Sequence, residues 1–241
     1  MNKQISLGKD IPVLTPGIQQ TQSFQWEDTG IMNARYLLYL PKAYDPNQPK
    51  RWPLILFLHG AGQRGNWMWL VKVTGLPRMF WPNLLHRRKD FPFIVVSPQC
   101  KRNVWWSTDA LNALLDEVTS EYMVDSDRIY VTGMSMGGFA TWSLAMKYPH
   151  RFAAIAPICG GGNPANVCVI KHLPVWTFHG ARDKTVPIGQ TENLVNALKK
   201  CGGNVRFTIY PRAGHDAWTE TYANPELYTW FLKHTRAVPT S

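Results

Sequence analysis

Gly133-Met134-Ser135-Met136-Gly137 stands between two runs of different character. Before it lies Arg128-Ile129-Tyr130-Val131-Thr132, β-branched and aromatic, which predicts a strand. After it lies Gly138-Phe139-Ala140-Thr141-Trp142-Ser143-Leu144-Ala145-Met146, which predicts a helix. The pattern G-x-S-x-G on a sharp strand-to-helix turn presents a serine hydroxyl outward from strained backbone. The residues two before and two after such a serine have little room for a Cβ, which accounts for both glycines. The turn also sets Ser135 beside a helix N-terminus, where free N–H groups favour developing negative charge. Without those flanking elements the same five residues would be an ordinary glycine-rich turn.

The rest of the chain repeats the alternation of strand and helix. Upstream, Trp52-Pro53-Leu54-Ile55-Leu56-Phe57-Leu58 is largely apolar, as a strand buried on both faces must be. It runs into the glycine-bearing loop His59-Gly60-Ala61-Gly62-Gln63-Arg64-Gly65. Phe93-Ile94-Val95-Val96-Ser97 is a second buried strand, closed in this reading by Pro98. Ser107 or Thr108 caps a helix whose Leu111, Leu114, Leu115, Val118 and Tyr122 fall on one face. Downstream, Phe152–Ile158, Pro174–Phe178 and Val205–Tyr210 read as strands. A helix spans Ile188–Lys200, and a last helix opens with Asn224 as cap and Pro225 behind it. Strands alternating with helices indicate a mostly parallel sheet with helices on both faces. Residues up to Lys50, with strands expected over Gln19–Phe24 and Asn33–Leu40, read as an antiparallel edge. No repeat, low-complexity tract or linker divides residues 1–241, so one domain is expected.

With 241 residues, 45% of them hydrophobic and 17% charged, the chain can build a sizeable core and is not a disordered one. No apolar run reaches about 18 residues, so no membrane span is expected. No signal peptide is present in the given chain, which leaves cytoplasmic and secreted locations both open. Lys and Arg number 26 against 16 Asp and Glu, a formal net charge of +10. These charges are scattered, and the densest cluster, His86-Arg87-Arg88-Lys89, reads as a solvated helix end, so no nucleic-acid partner is expected. The seven histidines show no metal-binding spacing, and no metal is expected. Cys100, Cys159, Cys168 and Cys201 are too few for a disulfide scaffold. Cys159 and Cys168 flank one loop and either pair or remain buried thiols.

A serine hydroxyl is a poor nucleophile at neutral pH unless a base accepts its proton and a carboxylate orients that base. Asp183 lies just beyond the strand ending at Phe178, and His215 just beyond the strand ending at Tyr210. Both therefore fall at the same carboxyl edge as Ser135, in the order serine, acid, histidine. Asp216 adjoins His215, but chain neighbours rarely present their side chains to one another in the needed geometry. His179 precedes the acid and reads as structural, and His59 belongs to the turn after its strand. Trp67 and Trp69, after the glycine-bearing loop, either shape a pocket wall or pack on the sheet. Trp105 and Trp106 have the same two options at the strand ends.

Together Leu58–Gly65, Ser97-Pro98-Gln99-Cys100, Gly133–Gly138, His179–Pro187 and Gly214-His215-Asp216-Ala217-Trp218 resemble the α/β-hydrolase superfamily. The nearest branch holds dienelactone-hydrolase-like proteins, polyhydroxybutyrate-depolymerase-like and feruloyl esterases, and predicted peptidases related to prolyl oligopeptidase. The resemblance runs from about Arg35 to about Lys233. It implies a serine carboxylesterase without a large lid, acting on small esters: short-chain, or aryl such as plant cell-wall feruloyl and acetyl groups. It implies Ser135, His215 and Asp183 as the catalytic residues, the Ala61 and Met136 N–H groups as the oxyanion donors, and no cofactor. Trp67, Trp69, Trp105, Trp106 and Trp218 are the candidate substrate contacts. A small serine peptidase and a non-catalytic binding protein on the same fold are the alternatives. Neither composition nor spacing speaks to oligomeric state.

Overall fold

The computed structural model of the chain describes residues 14–24, 32–81 and 91–236. The basic run His86–Lys89 lies outside them. Eight strands form one sheet: β1 (Gln19–Ser23), β2 (Met32–Tyr39), β3 (Trp52–Leu58), β4 (Ile94–Cys100), β5 (Val124–Met134), β6 (Ala154–Ile158), β7 (Val175–Gly180) and β8 (Val205–Tyr210). Their order across the sheet is β1-β2-β4-β3-β5-β6-β7-β8. The β1–β2 and β2–β4 pairs are antiparallel, and every later pair is parallel. The antiparallel edge and parallel body agree with the sequence reading.

Alternation along the central strands decides which side each residue packs on. Leu54, Leu56 and Leu58 of β3 join Ile129 and Val131 of β5 on one face, while Ile55 and Phe57 join Tyr130 on the other. The first face is covered by α2 (Thr108–Glu121), α3 (Met136–Lys147) and α4 (Gly189–Lys200). The second is covered by the short α1 (Trp69–Lys72), α5 (Trp218–Ala223) and α6 (Pro225–Leu232). Leu111, Leu114, Leu115 and Val118 of α2 are all buried, and Ser107 Oγ accepts the Ala110 N–H at the helix start. Asn224 caps α6 through the Glu226 N–H, with Pro225 at the first helical position. No helix among the described residues is long and apolar enough to cross a membrane.

Two expectations need correction. β4 does not stop before Pro98 but continues to Cys100. Its pairing with β3 ends at Leu56–Val96, so beyond that point a missing N–H on that side breaks no ladder; Pro98 instead lies opposite Tyr36 of β2. Between β6 and β7, residues 160–163 form the expected loop, and Pro164–Ile170 forms a 3₁₀ helix capped by Asn163. No larger element stands there, so the site edge carries no lid at that point. Finally, Cys159 does not pair with Cys168. The disulfide joins Cys168, in that 3₁₀ segment, to Cys201 at the end of α4, whereas Cys159 is a buried free thiol at the end of β6.

This disulfide closes a sequence separation of 33 residues. Cross-linking a loop of that size restricts the unfolded chain and is worth about 3–4 kcal/mol on the chain-entropy account. The Cys168→Ser/Cys201→Ser variant should therefore unfold at lower urea concentration, with stability reduced by about 2–4 kcal/mol. A midpoint equal to that of the oxidised parent protein would show that the bridge adds nothing.

Candidate active site

Ser135 occupies the turn between β5 and α3 at φ 55°, ψ −120°, a region a non-glycine residue enters only under constraint. Such a residue costs about 1–3 kcal/mol, so neighbours must hold it. The Ser135 N–H donates to Ile158 O at the end of β6, 2.9 Å away. On either side the backbones are nearly in contact. A Cβ on Gly133 would stand 2.4 Å from Gly137 O, and one on Gly137 would stand 2.0 Å from Leu58 O. Glycine is required at both places because backbone, which cannot yield, fills the space.

The loops after β7 and β8 bring their side chains to this serine. His215 Nε2 lies 2.9 Å from Ser135 Oγ, and His215 Nδ1 lies 2.7 Å from Asp183 Oδ2. The carboxylate only accepts, so Nδ1 carries the proton and Nε2 turns its lone pair to the hydroxyl. The two loops are tied together by backbone bonds from Ala181 N to Tyr210 O and from Arg182 N to Ala213 O. A Cβ on Gly180 would lie 2.0 Å from Gly214 O, so the strand end admits only glycine where the histidine loop crosses it. Asp183 is buried, and burial pushes its carboxyl up. Hydrogen bonds from His215 and from the Val186 and Thr185 N–H groups outweigh that and leave it below the usual carboxylate range. Asp216 is occupied elsewhere, accepting from the N–H and hydroxyl of Thr219.

The loop after β3 closes the third side. Ala61 and Met136 are each the first residue of a helical segment, so neither N–H has an intrahelical carbonyl to meet. A Cβ on Gly60 would be 3.4 Å from Ser135 Cβ, which puts this loop directly against the serine. Its braces went unread in the sequence. His59 is fully buried; its Nε2 accepts the Cys100 N–H at 3.0 Å and its Nδ1 donates to Gly60 O at 2.7 Å. Gln99 Nε2 donates to Gln63 O and Trp67 O at 2.8 and 3.1 Å. Trp106 Nε1 donates to His59 O at 3.2 Å while its ring packs on the His59 ring.

Trp106 is thus a buried strut beneath the loop and not a wall of the cleft, a correction to its reading as a candidate substrate contact. Its neighbour Trp105 is 62% exposed and meets Phe139 of α3 edge-on. Trp67 and Trp69 are 69% and 54% exposed, so neither packs on the sheet. Trp218, at the start of α5, sets its ring perpendicular to that of His215, 5.1 Å between centroids.

Behind the serine, atoms of Cys159, His179 and Asp183 lie within 4.8 Å of one another. Such a cluster has the composition of a cation site but not its donor directions. His179 Nε2 faces two acceptors, Val186 O and Asp183 Oδ2, so it carries a proton and has no lone pair to offer. Burial pushes the Cys159 thiol up to about 12, and its Sγ donates to His215 O.

Eight mostly parallel strands in this order, with helices on both faces and a serine on the strand-to-helix turn after β5, define an α/β-hydrolase fold. Within it, the chain belongs to the dienelactone hydrolase family, whose sequence model matches residues 80–228. The chain is 27% identical over 217 residues to a bifunctional acetylxylan esterase/xylanase of Neocallimastix patriciarum, covering 82% of this chain and 29% of that protein. It is 26% identical over 204 residues to feruloyl esterase C of Emericella nidulans, covering 80% and 67%. The crystal structure of a thermostable esterase superimposes with a TM-score of 0.76 at 32% identity, over 92% of this chain and 64% of that one. The chain therefore spans less than a third of the first relative and less than two thirds of the thermostable esterase.

His59 gives the site's frame a pH dependence. Burial lowers its pKa from 6.5 to about 4. Between those values the unfolded chain binds a proton that the folded protein refuses, so stability falls as pH falls through that window, by up to about 3 kcal/mol. Urea unfolding followed from about pH 7 to about pH 4 should show the loss, and His59→Gln should lose less over the same interval. Equal losses in the two proteins would remove His59 as the cause.

Proposed function

We propose that this protein is a serine carboxylesterase. Ser135 is the nucleophile, His215 the general base and acid, Asp183 the orienting carboxylate, and the Ala61 and Met136 N–H groups the oxyanion donors. The observation that carries this reading is the unbroken line from Ser135 Oγ through His215 to Asp183, at 2.9 and 2.7 Å, at one edge of the sheet. Those separations are within the reach that proton transfer requires.

In the proposed reaction Ser135 Oγ attacks the ester carbonyl carbon while its proton passes to His215 Nε2. The carbonyl oxygen takes the negative charge and is met by the two helix-start N–H groups; each such donor contributes on the order of 3 kcal/mol. Asp183 stabilises the imidazolium without taking its proton. The C–O bond to the alcohol then breaks, and His215 protonates the departing oxygen. A water molecule, deprotonated by His215, attacks the acyl-serine carbonyl, and the acid leaves as Ser135 recovers its proton.

The substrates proposed are esters of short-chain or aromatic acids, feruloyl and acetyl groups of plant cell walls among them. The segment between β6 and β7 holds one seven-residue 3₁₀ helix, which leaves the edge open to a soluble ester. Exposed Trp67, Trp69 and Trp105 offer flat apolar surface suited to stacking on sugar or aryl rings. The relatives named as acetylxylan and feruloyl esterases agree with this class of substrate.

The test is turnover of p-nitrophenyl acetate, p-nitrophenyl butyrate and methyl ferulate beside peptide anilides, with wild type and Ser135→Ala. Ester turnover should be present in the wild type and fall at least about 10⁴-fold in the variant. A fluorophosphonate probe should label the wild type at Ser135 only. Turnover confined to the anilides would make the enzyme a peptidase. An unlabelled Ser135 in folded protein would make the chain a binding module.

A further inference from the structure

The loop His59–Gly65 after β3 carries the polar side chains of His59, Gln63 and Arg64, and two of these are spent on backbone. His59 gives its Nδ1 proton to Gly60 O and takes the Cys100 N–H on Nε2. Arg64 donates from Nε to Ala61 O at 3.1 Å and from Nη1 to Val104 O at 3.3 Å. The side-chain amide of Gln63 has no hydrogen-bond partner among the described residues. Its backbone is the opposite case. The Gln63 N–H donates to Gly60 O at 3.2 Å, and its carbonyl accepts from Gln99 Nε2 at 2.8 Å. A fixed backbone therefore carries an uncommitted amide.

That amide stands beside the serine. A Cβ on Gly60 would lie 3.4 Å from Ser135 Cβ and 3.5 Å from Gln63 Oε1, so one point next to Gly60 is in van der Waals contact with both side chains. Gly60 directly precedes Ala61, whose N–H is one of the two oxyanion donors proposed above. Gln63 is partly exposed, as a group that meets an entering substrate must be. No bond fixes its last torsion, which is broad for an amide, and half a turn exchanges Oε1 for Nε2 at the same place. A negative oxygen formed there selects the NH₂ end, because that end donates and the other only accepts. We infer that Gln63 is a further catalytic residue: its Nε2–H donates to the oxyanion formed on attack by Ser135, beside the Ala61 and Met136 N–H groups.

This inference rests on the proposed ester hydrolysis at Ser135 and adds a donor to it. A side chain with no protein partner at rest breaks no internal bond when charge develops at the carbonyl oxygen. A hydrogen bond to an ionised oxygen is also shorter and stronger than one to a neutral carbonyl. The gain therefore belongs to the transition state more than to the bound ester, so it raises kcat and leaves KM nearly unchanged. An amide that held the alcohol portion of the substrate would act instead on KM, and only for alcohols with a polar group near the ester.

The experiment measures kcat and KM of wild type, Gln63→Ala and Gln63→Glu on p-nitrophenyl acetate, whose alcohol has no hydroxyl beside the ester. The same proteins are measured on p-nitrophenyl thionoacetate, in which sulfur replaces the carbonyl oxygen. Sulfur is the weaker acceptor, so loss of a donor penalises the oxygen ester more. In Gln63→Ala, kcat on the acetate should fall about tenfold or more with KM within about threefold of wild type, and the preference for acetate over thionoacetate should shrink. Gln63→Glu, of nearly the same size but with no N–H and a negative charge, should lose at least as much. A smaller loss of kcat in either variant, or a loss carried by KM, overturns the inference. So does an unchanged preference between the two esters, because a merely disturbed loop slows both alike. Wild type without ester turnover overturns the proposed function itself, whereas turnover that survives intact in Gln63→Ala overturns only the role of Gln63.

Discussion

The backbone conformation of Ser135 is the constraint on which the surrounding structure depends. A side-chain-bearing residue at φ 55°, ψ −120° is not stable by itself, and three neighbouring strands supply what holds it. β5 delivers the serine, the end of β6 accepts its N–H, and the end of β3 lies so close that Gly137 has no space for a methyl group. Each of these contacts is backbone to backbone. The position of the hydroxyl is thus set by the sheet and not by the packing of its own side chain.

The same economy appears one layer out. The carboxyl edge of a parallel sheet ends in loops with unpaired N–H and C=O groups, and buried ones must find partners. Here a few side chains serve them. His59, Gln99 and Trp106 meet the backbone of the loop after β3, His179 meets the loop after β7, and Thr191 meets the loop after β6. The loops that carry Ala61 and Asp183 are consequently held by buried hydrogen bonds, which are costly to break because water cannot replace them.

What was legible in the sequence follows from where stereochemistry leaves a residue no choice. Gly133, Gly137 and Gly180 mark close backbone approaches, and those approaches lie beside Ser135 and Asp183, so the motifs around them were readable. The apolar run of β3 was readable because all seven of its residues are buried. The rest depended on contacts distant in sequence. Pro98 reads as a strand end, and only the early departure of β3 lets β4 continue through it. Trp105 and Trp106 are adjacent in an irregular loop with no periodicity to say which turns inward. Cys168 finds Cys201 and not Cys159 because the 3₁₀ segment packs on α4, a contact that local spacing does not encode. His179 read as structural from its place in the chain. Its nearness to Asp183 arises from the turn through Val186, which brings strand end and acid together.

Three histidines stand at this edge, and their partners separate them. His59 receives an N–H on Nε2 and gives its proton to Gly60 O, so both nitrogens are spent on backbone. His179 gives its Nε2 proton to Val186 O, and its Nδ1 meets the Thr191 hydroxyl. His215 alone of the three directs a lone pair at the Ser135 hydroxyl: Nδ1–H is fixed by Asp183, and Nε2 faces Ser135 Oγ. A base must keep an unshared pair until substrate arrives, and it must be prevented from presenting the wrong nitrogen. The bracing histidines have their tautomers fixed by groups that do not change during a reaction. The third has its tautomer fixed by a buried carboxylate. That difference in partners, and not burial or order along the chain, is what supports assigning proton transfer to His215.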